Sequence, residues 1–229
     1  MKNISKEEQR SLDATWNALP DFSTYSDSLA IIDTSGSMYC DGKPLPAAVA
    51  LSLGLYFAEH NKGAFRNHFI EFSSSPKLIE IKGESFYERL RYICSFNTIA
   101  DTNIEAVFDL ILNTAVKNKL PSSSLPERLI IISDMEFNCC VNNAGETNFI
   151  NAKRKFEKKG YILPKVVFWN VASRTRTQPV KENEEGVILV SGCSPVLFGK
   201  VADGSLDSNT PYEFMLQVLS GERYERISA

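Results

Sequence analysis

Two uninterrupted apolar runs, Leu29-Ala30-Ile31-Ile32 and Leu129-Ile130-Ile131-Ile132, limit what this chain can fold into more than any other feature. Both are strand-length and neither alternates, so a strand built from either must be covered on both faces. Lys165 to Val171 and Gly186 to Val190 supply a third and a fourth strand. Helical patterns separate them, which indicates an α/β fold: a doubly wound, mostly parallel sheet with helices on both faces. His68-Phe69-Ile70-Glu71-Phe72 and Lys77-Leu78-Ile79-Glu80-Ile81 alternate around Ser73-Ser74-Ser75-Pro76. That is a hairpin pattern, and it adds one antiparallel edge strand.

The helices carry their own punctuation. Ser5 and Glu8 have capping-box spacing, which predicts a first helix over Lys6 to Ala18, closed by Pro20. A polar linker then leads to the first buried strand. Pro44 and Pro46 suit the first turn of a helix over Ala47 to His60. Further helices are expected over Ser85 to Ser95, Asn103 to Leu120, Asn148 to Lys159 and Pro211 to Leu219. Residues 1–28 read as an N-terminal helix and linker, and residues 29–229 as one domain.

With 43% hydrophobic and 23% charged residues the composition is that of a soluble globular protein. A formal charge of −3 gives no global electrostatic drive toward nucleic acid or anionic membrane. No apolar stretch reaches membrane-spanning length, and the polar N-terminus lacks the apolar core of a signal peptide. Five cysteines, an odd number with no Cys-x-x-Cys pair, agree with a cytoplasmic protein. Adjacent Cys139 and Cys140 read as a redox pair or as plain thiols, the latter being the usual case in the cytosol.

The first apolar strand runs into Asp33-Thr34-Ser35-Gly36-Ser37, and the second ends in Ser133-Asp134. One carboxylate and two hydroxyls in a single loop are hard oxygen ligands, suited to Mg²⁺ or Mn²⁺ and not to soft metals. Open parallel sheets bind ligands beyond the carboxyl ends of their strands, where the strand order reverses. Three segments can deliver oxygens there: Asp33, Ser35 and Ser37, then Thr102 before the long central helix, then Asp134. The alternative is that Asp33 and Ser35 merely cap the helix that follows.

This order of residue types resembles the von Willebrand factor A (vWA) domain and its metal-ion-dependent adhesion site. The resemblance implies that Ser35, Ser37 and Thr102 hold the metal through hydroxyl oxygens. Asp33 and Asp134 would hold waters and orient those hydroxyls. It implies Mg²⁺, with Mn²⁺ or Ca²⁺ as substitutes, and a partner protein presenting a carboxylate to the open coordination position. Asp33 to Met38, Gly42 to Leu45 and Val166 to Val171 are similar to intracellular A domains, the C-terminal domain of Ro ribonucleoprotein among them. They are also similar to a family joining an N-terminal helical region to a vWA domain.

Arg174 and Arg176, after the third buried strand, and Ser191 and Ser194, after the fourth, are candidates for a partner-binding rim. For the two arginines the alternative is a solvated loop. Lys153, Arg154, Lys155, Lys158 and Lys159 suggest a nucleic-acid stripe, but helical spacing spreads them into a solvated face. His60 and His68, the two histidines, are not placed beside a Ser or Cys nucleophile, and phosphate-loop and dinucleotide fingerprints are absent. A metal-dependent phosphohydrolase using Asp33 is the enzymatic alternative, but such sites want a second acid close by and position 35 is Ser. A ribonucleoprotein component assisting RNA or protein assembly is the other. The expected function is a divalent-metal-dependent protein-binding module.

Overall fold

The apolar runs form the middle of a six-stranded sheet. The computed structural model describes residues 4–22, 27–40, 43–96, 103–135, 148–172, 186–207 and 210–221. Its strands are β1 (Ser28–Asp33), β2 (His68–Phe72), β3 (Lys77–Glu80), β4 (Arg128–Ser133), β5 (Lys165–Asn170) and β6 (Val187–Ser191). They lie in the order β3-β2-β1-β4-β5-β6. Every neighbouring pair is parallel except β2 with β3, the expected antiparallel edge. All residues of β1 and β4 are buried, as continuous apolar runs require.

Alternate side chains enter two cores, one on each face of the sheet. Ala30, Ile32, Ile130, Ile132, Val167 and Trp169 pack with residues of α2 (Pro46–His60), α3 (Phe86–Ile93) and α6 (Pro195–Ala202). Leu29, Ile31, Leu129, Ile131, Val166 and Phe168 pack with α4 (Ile104–Lys117) and α5 (Asn148–Lys158). Gly54 lets α2 lie close on β1, because a methyl group there would overlap the Ile32 side chain. This contact outweighs the roughly 1 kcal/mol that a glycine costs inside a helix.

The first helix, α1 (Lys6–Asn17), closes at Ser5 with the capping box read from the sequence. Trp16 stacks on Phe86 with centroids 4.4 Å apart and donates through Nε1 to Glu59 Oε2 at 2.8 Å. Asp13 Oδ1 accepts from the Phe86 amide at 2.8 Å, so α1 also caps the start of α3. On the opposite face of the sheet Lys155 of α5 donates to Asp109 at 2.8 Å and Glu105 at 2.9 Å, both on α4. One member of the basic series thus ties two helices together.

The segment after β6, for which the sequence predicts no element, forms α6. Ser194 is its N-cap and accepts from the Leu197 amide at 3.2 Å. At its other end the buried Arg128 donates to the carbonyls of Val201 at 2.7 Å and Ala202 at 3.2 Å. The closing helix α7 (Pro211–Leu219) leaves Tyr212, Met215 and Leu219 exposed. Among the described residues no helix is long and apolar enough to cross a membrane.

Candidate metal centre

The chain leaves β1 toward β2 on one side and later enters β4 on the other, so the strand order reverses between β1 and β4. A crevice opens at the carboxyl ends of two strands so arranged. Ile32 is in register with Ile132. Asp33 and Ser133, one residue further along, therefore lie abreast, and Asp134 follows. Asp33 is 2% exposed and Asp134 1%.

Both oxygens of Asp33 are engaged. Oδ1 accepts the Ser35 amide at 2.8 Å, and Oδ2 accepts the Ser133 hydroxyl at 2.5 Å. The loop then turns through a 3-10 segment, Gly36–Tyr39, which Met38 anchors in the core with no exposed surface. Ser35 Oγ lies 3.0 Å from Ser37 Oγ. Ser35 opens that 3-10 segment but its side chain makes no capping hydrogen bond. Its hydroxyl faces that of Ser37 instead, which speaks against a purely capping loop. Thr34 is buried too, and its Oγ1 has no hydrogen-bond partner among the described residues.

Burial is the main influence on Asp33 and pushes its carboxyl above the ordinary value. The bonds from Ser133 and Ser35 oppose that rise, and the nearby Asp134 carboxylate adds to it. Two buried carboxylates at neighbouring strand ends call for a positive counter-charge. Arg89–Glu59 and Lys155 with Glu105 and Asp109 form ion pairs elsewhere in the molecule. Among the described residues there is no group of three His, Cys, Asp or Glu side chains arranged for a metal. The oxygens are carboxylates mixed with hydroxyls, a set that fits a small hard cation.

Of the residues read from the sequence, Asp33 at the end of β1, Ser35 and Ser37 in the loop after it, and Asp134 after β4 thus lie at the switch point. Thr102, Arg174 and Arg176 lie outside the described residues, as do Cys139 and Cys140. Asn103, next to Thr102, caps α4 by accepting the Ala106 amide at 3.1 Å. Ser191 ends β6 in register with Asn170, and Ser194 is occupied as the cap of α6.

Two participants escape sequence reading. Ser133 has no exposed surface, and besides donating to Asp33 it accepts the Met135 amide at 3.0 Å. Met135 holds a left-handed backbone at φ 61°, which costs a non-glycine residue roughly 1–2 kcal/mol. A serine ending an otherwise apolar strand, one residue before the second aspartate, was the available signal.

The family model described as "Domain of unknown function (DUF7788)" matches residues 27–213. Uncharacterized protein L728 of Acanthamoeba polyphaga mimivirus is 32% identical over 208 residues, covering 90% of this chain and 35% of that protein. The chain therefore spans about a third of the length of this curated relative. Among solved structures, the RO (RSR) protein of Deinococcus radiodurans superposes with a TM-score of 0.57 at 15% identity, over 86% of this chain and 37% of that one. The manganese-loaded TRAP protein of Plasmodium vivax gives 0.42 at 12% identity, over 74% of this chain and 69% of that one. The fold is a vWA-like doubly wound sheet, and with its family model matching residues 27–213 the chain belongs to the DUF7788 family.

Proposed function

We propose that this chain is a divalent-metal-dependent protein-binding module. Asp33, Ser35, Ser37, Thr102 and Asp134 would hold the cation, Mg²⁺ by preference. The observation that carries this reading is the pair of buried carboxylates, Asp33 and Asp134, beside the facing hydroxyls of Ser35 and Ser37 at the switch point. When bound, the cation supplies an electrophilic centre that accepts a carboxylate from a partner protein.

The chain's own residues define that chemistry. Ser35 and Ser37 offer neutral oxygens, so their contribution leaves the positive charge largely unspent. Asp33 is already turned toward the Ser35 amide and the Ser133 hydroxyl, which suits it to orienting the loop and its waters. Position 35 carries no acid, so a two-carboxylate hydrolytic arrangement lacks its second member within this loop.

The test is thermal unfolding in Mg²⁺, Mn²⁺, Ca²⁺ or EDTA, paired with affinity capture from lysate of the source cell. Mg²⁺ or Mn²⁺ should raise the melting temperature and increase specific capture, and Asp33→Ala should remove both effects. Identical melting in Mg²⁺ and EDTA, with capture unchanged, would leave a metal-free scaffold in its place. Metal-dependent hydrolysis of an aryl phosphate, lost in Asp33→Asn, would replace the binding module with an enzyme.

A further inference from the structure

We propose that Ser133 is a positioning residue of this centre. By joining the loop after β1 to the loop after β4, its hydroxyl sets the affinity and size preference of the site for a divalent cation. The inference rests on the metal-binding reading above and adds a residue to it.

Ser133 is the last residue of β4 and lies abreast of Asp33, given the Ile32–Ile132 register. Its hydroxyl donates to Asp33 Oδ2 at 2.5 Å and accepts the Met135 amide at 3.0 Å. One oxygen atom therefore links the carboxylate of the first loop to the backbone of the second. A hydroxyl has one proton to give and two lone pairs to offer, so it can make both contacts at once.

The position is rigid on both sides. Ser133 has no exposed surface, and Asp33 and Met135 are each 2% exposed. Met135 sits in a left-handed conformation at φ 61°, disfavoured for a non-glycine residue, and the hydrogen bond from its amide helps to hold it there. Asp134 lies between the two residues that Ser133 engages or belongs to, so its backbone is fixed by the same contact. The buried Ser133 hydroxyl thus helps to set how the ends of β1 and β4, which carry Asp33 and Asp134, sit relative to one another. Mg²⁺ tolerates little deviation from its short, near-octahedral geometry, whereas Ca²⁺ accepts longer and less regular coordination. Loosening the link should therefore harm Mg²⁺ more than Ca²⁺.

The experiment is isothermal titration of wild type, Ser133→Ala, Ser133→Cys and Ser133→Thr with MgCl₂ and with CaCl₂. Circular dichroism in EDTA checks the fold of each. Removing an outer hydrogen-bond partner of a metal ligand typically weakens metal affinity about 10- to 100-fold, and that loss is expected for Mg²⁺ with Ser133→Ala. The Mg²⁺-to-Ca²⁺ affinity ratio should fall in the same variant. Thr, which keeps the hydroxyl, should restore both quantities. Cys, nearly isosteric but a weak donor, should behave like Ala and serves if Ala does not fold. Wild type that binds Mg²⁺ while folded Ala and Cys variants bind within about twofold of it would overturn the role of Ser133 alone. Wild type that takes up neither cation would overturn the metal-binding reading and this inference with it.

Discussion

Asp33 is a buried acid whose bonded partners are neutral donors, so in EDTA its protonation should report on the site around it. Burial raises its folded pKa above the unfolded value of about 3.9. The native state then keeps a proton that the unfolded state has lost. Stability in EDTA should fall as pH rises from about 3.9 to the folded pKa, and level off above it. In Asp33→Asn that component should be absent. Urea midpoints between pH 4 and neutrality, taken in EDTA for both proteins, check the sign; equal pH slopes would count against it. Saturating Mg²⁺ should reverse the trend, because a cation favours the ionised acid. The place of the first loop was legible because an apolar run of strand length leads into it. Ser133 was not, because its partner Asp33 is distant in sequence and meets it only through the β1–β4 register.

At the scale of elements, strands and long helices could be read because each carries its own period. β1 and β4 carry the unbroken apolar runs Leu29–Ile32 and Leu129–Ile132, and α4 repeats its buried positions Val107, Phe108, Ile111, Leu112 and Ala115 at helical spacing. The short helix α6 could not be read in this way. Its 8 residues, Pro195–Ala202, give barely two turns of pattern, and its C-terminal end is anchored by a residue distant in sequence. Arg128, at the start of β4, places its guanidinium against the last carbonyls of α6, where a positive charge is favourable. Nothing local to α6 announces that anchor. Arg128→Met keeps much of the side-chain volume while removing the charged donors. It should destabilise the domain by about 2–4 kcal/mol, since hydrogen bonds to charged groups contribute more than neutral ones and buried carbonyls are left unpaired. Chemical denaturation measures this, and a loss below about 0.5 kcal/mol, the usual range for surface changes, would show that α6 is held by its apolar contacts alone.

For the whole molecule the question is whether α1, the two cores and the centre unfold together. The two tryptophans fall in informative places. Trp16 lies on α1, stacked on Phe86 and bonded to Glu59, while Trp169 is fully buried on β5 and donates to the Gly192 carbonyl at 2.7 Å. Asp13 also bonds the first amide of α3, so α1 shares polar contacts with α2 and α3, two of the helices that cover that face. These links should keep α1 folded until the sheet itself opens. Trp16→Phe leaves Trp169 as the fluorescent reporter of the core, and Trp169→Phe leaves Trp16 as the reporter of α1. In urea, each variant's fluorescence transition should coincide with its own far-UV circular dichroism transition, the mark of a two-state domain. Because the proposed centre would bridge β1 and β4 in the middle of the sheet, Mg²⁺ should move both transitions upward without changing their slopes. At 100 times the dissociation constant the gain should approach about 2.7 kcal/mol. An early transition for Trp16, unaffected by Mg²⁺, would make α1 a separately melting arm. A Trp169 transition that Mg²⁺ leaves unmoved would uncouple the two loops from the sheet that carries them.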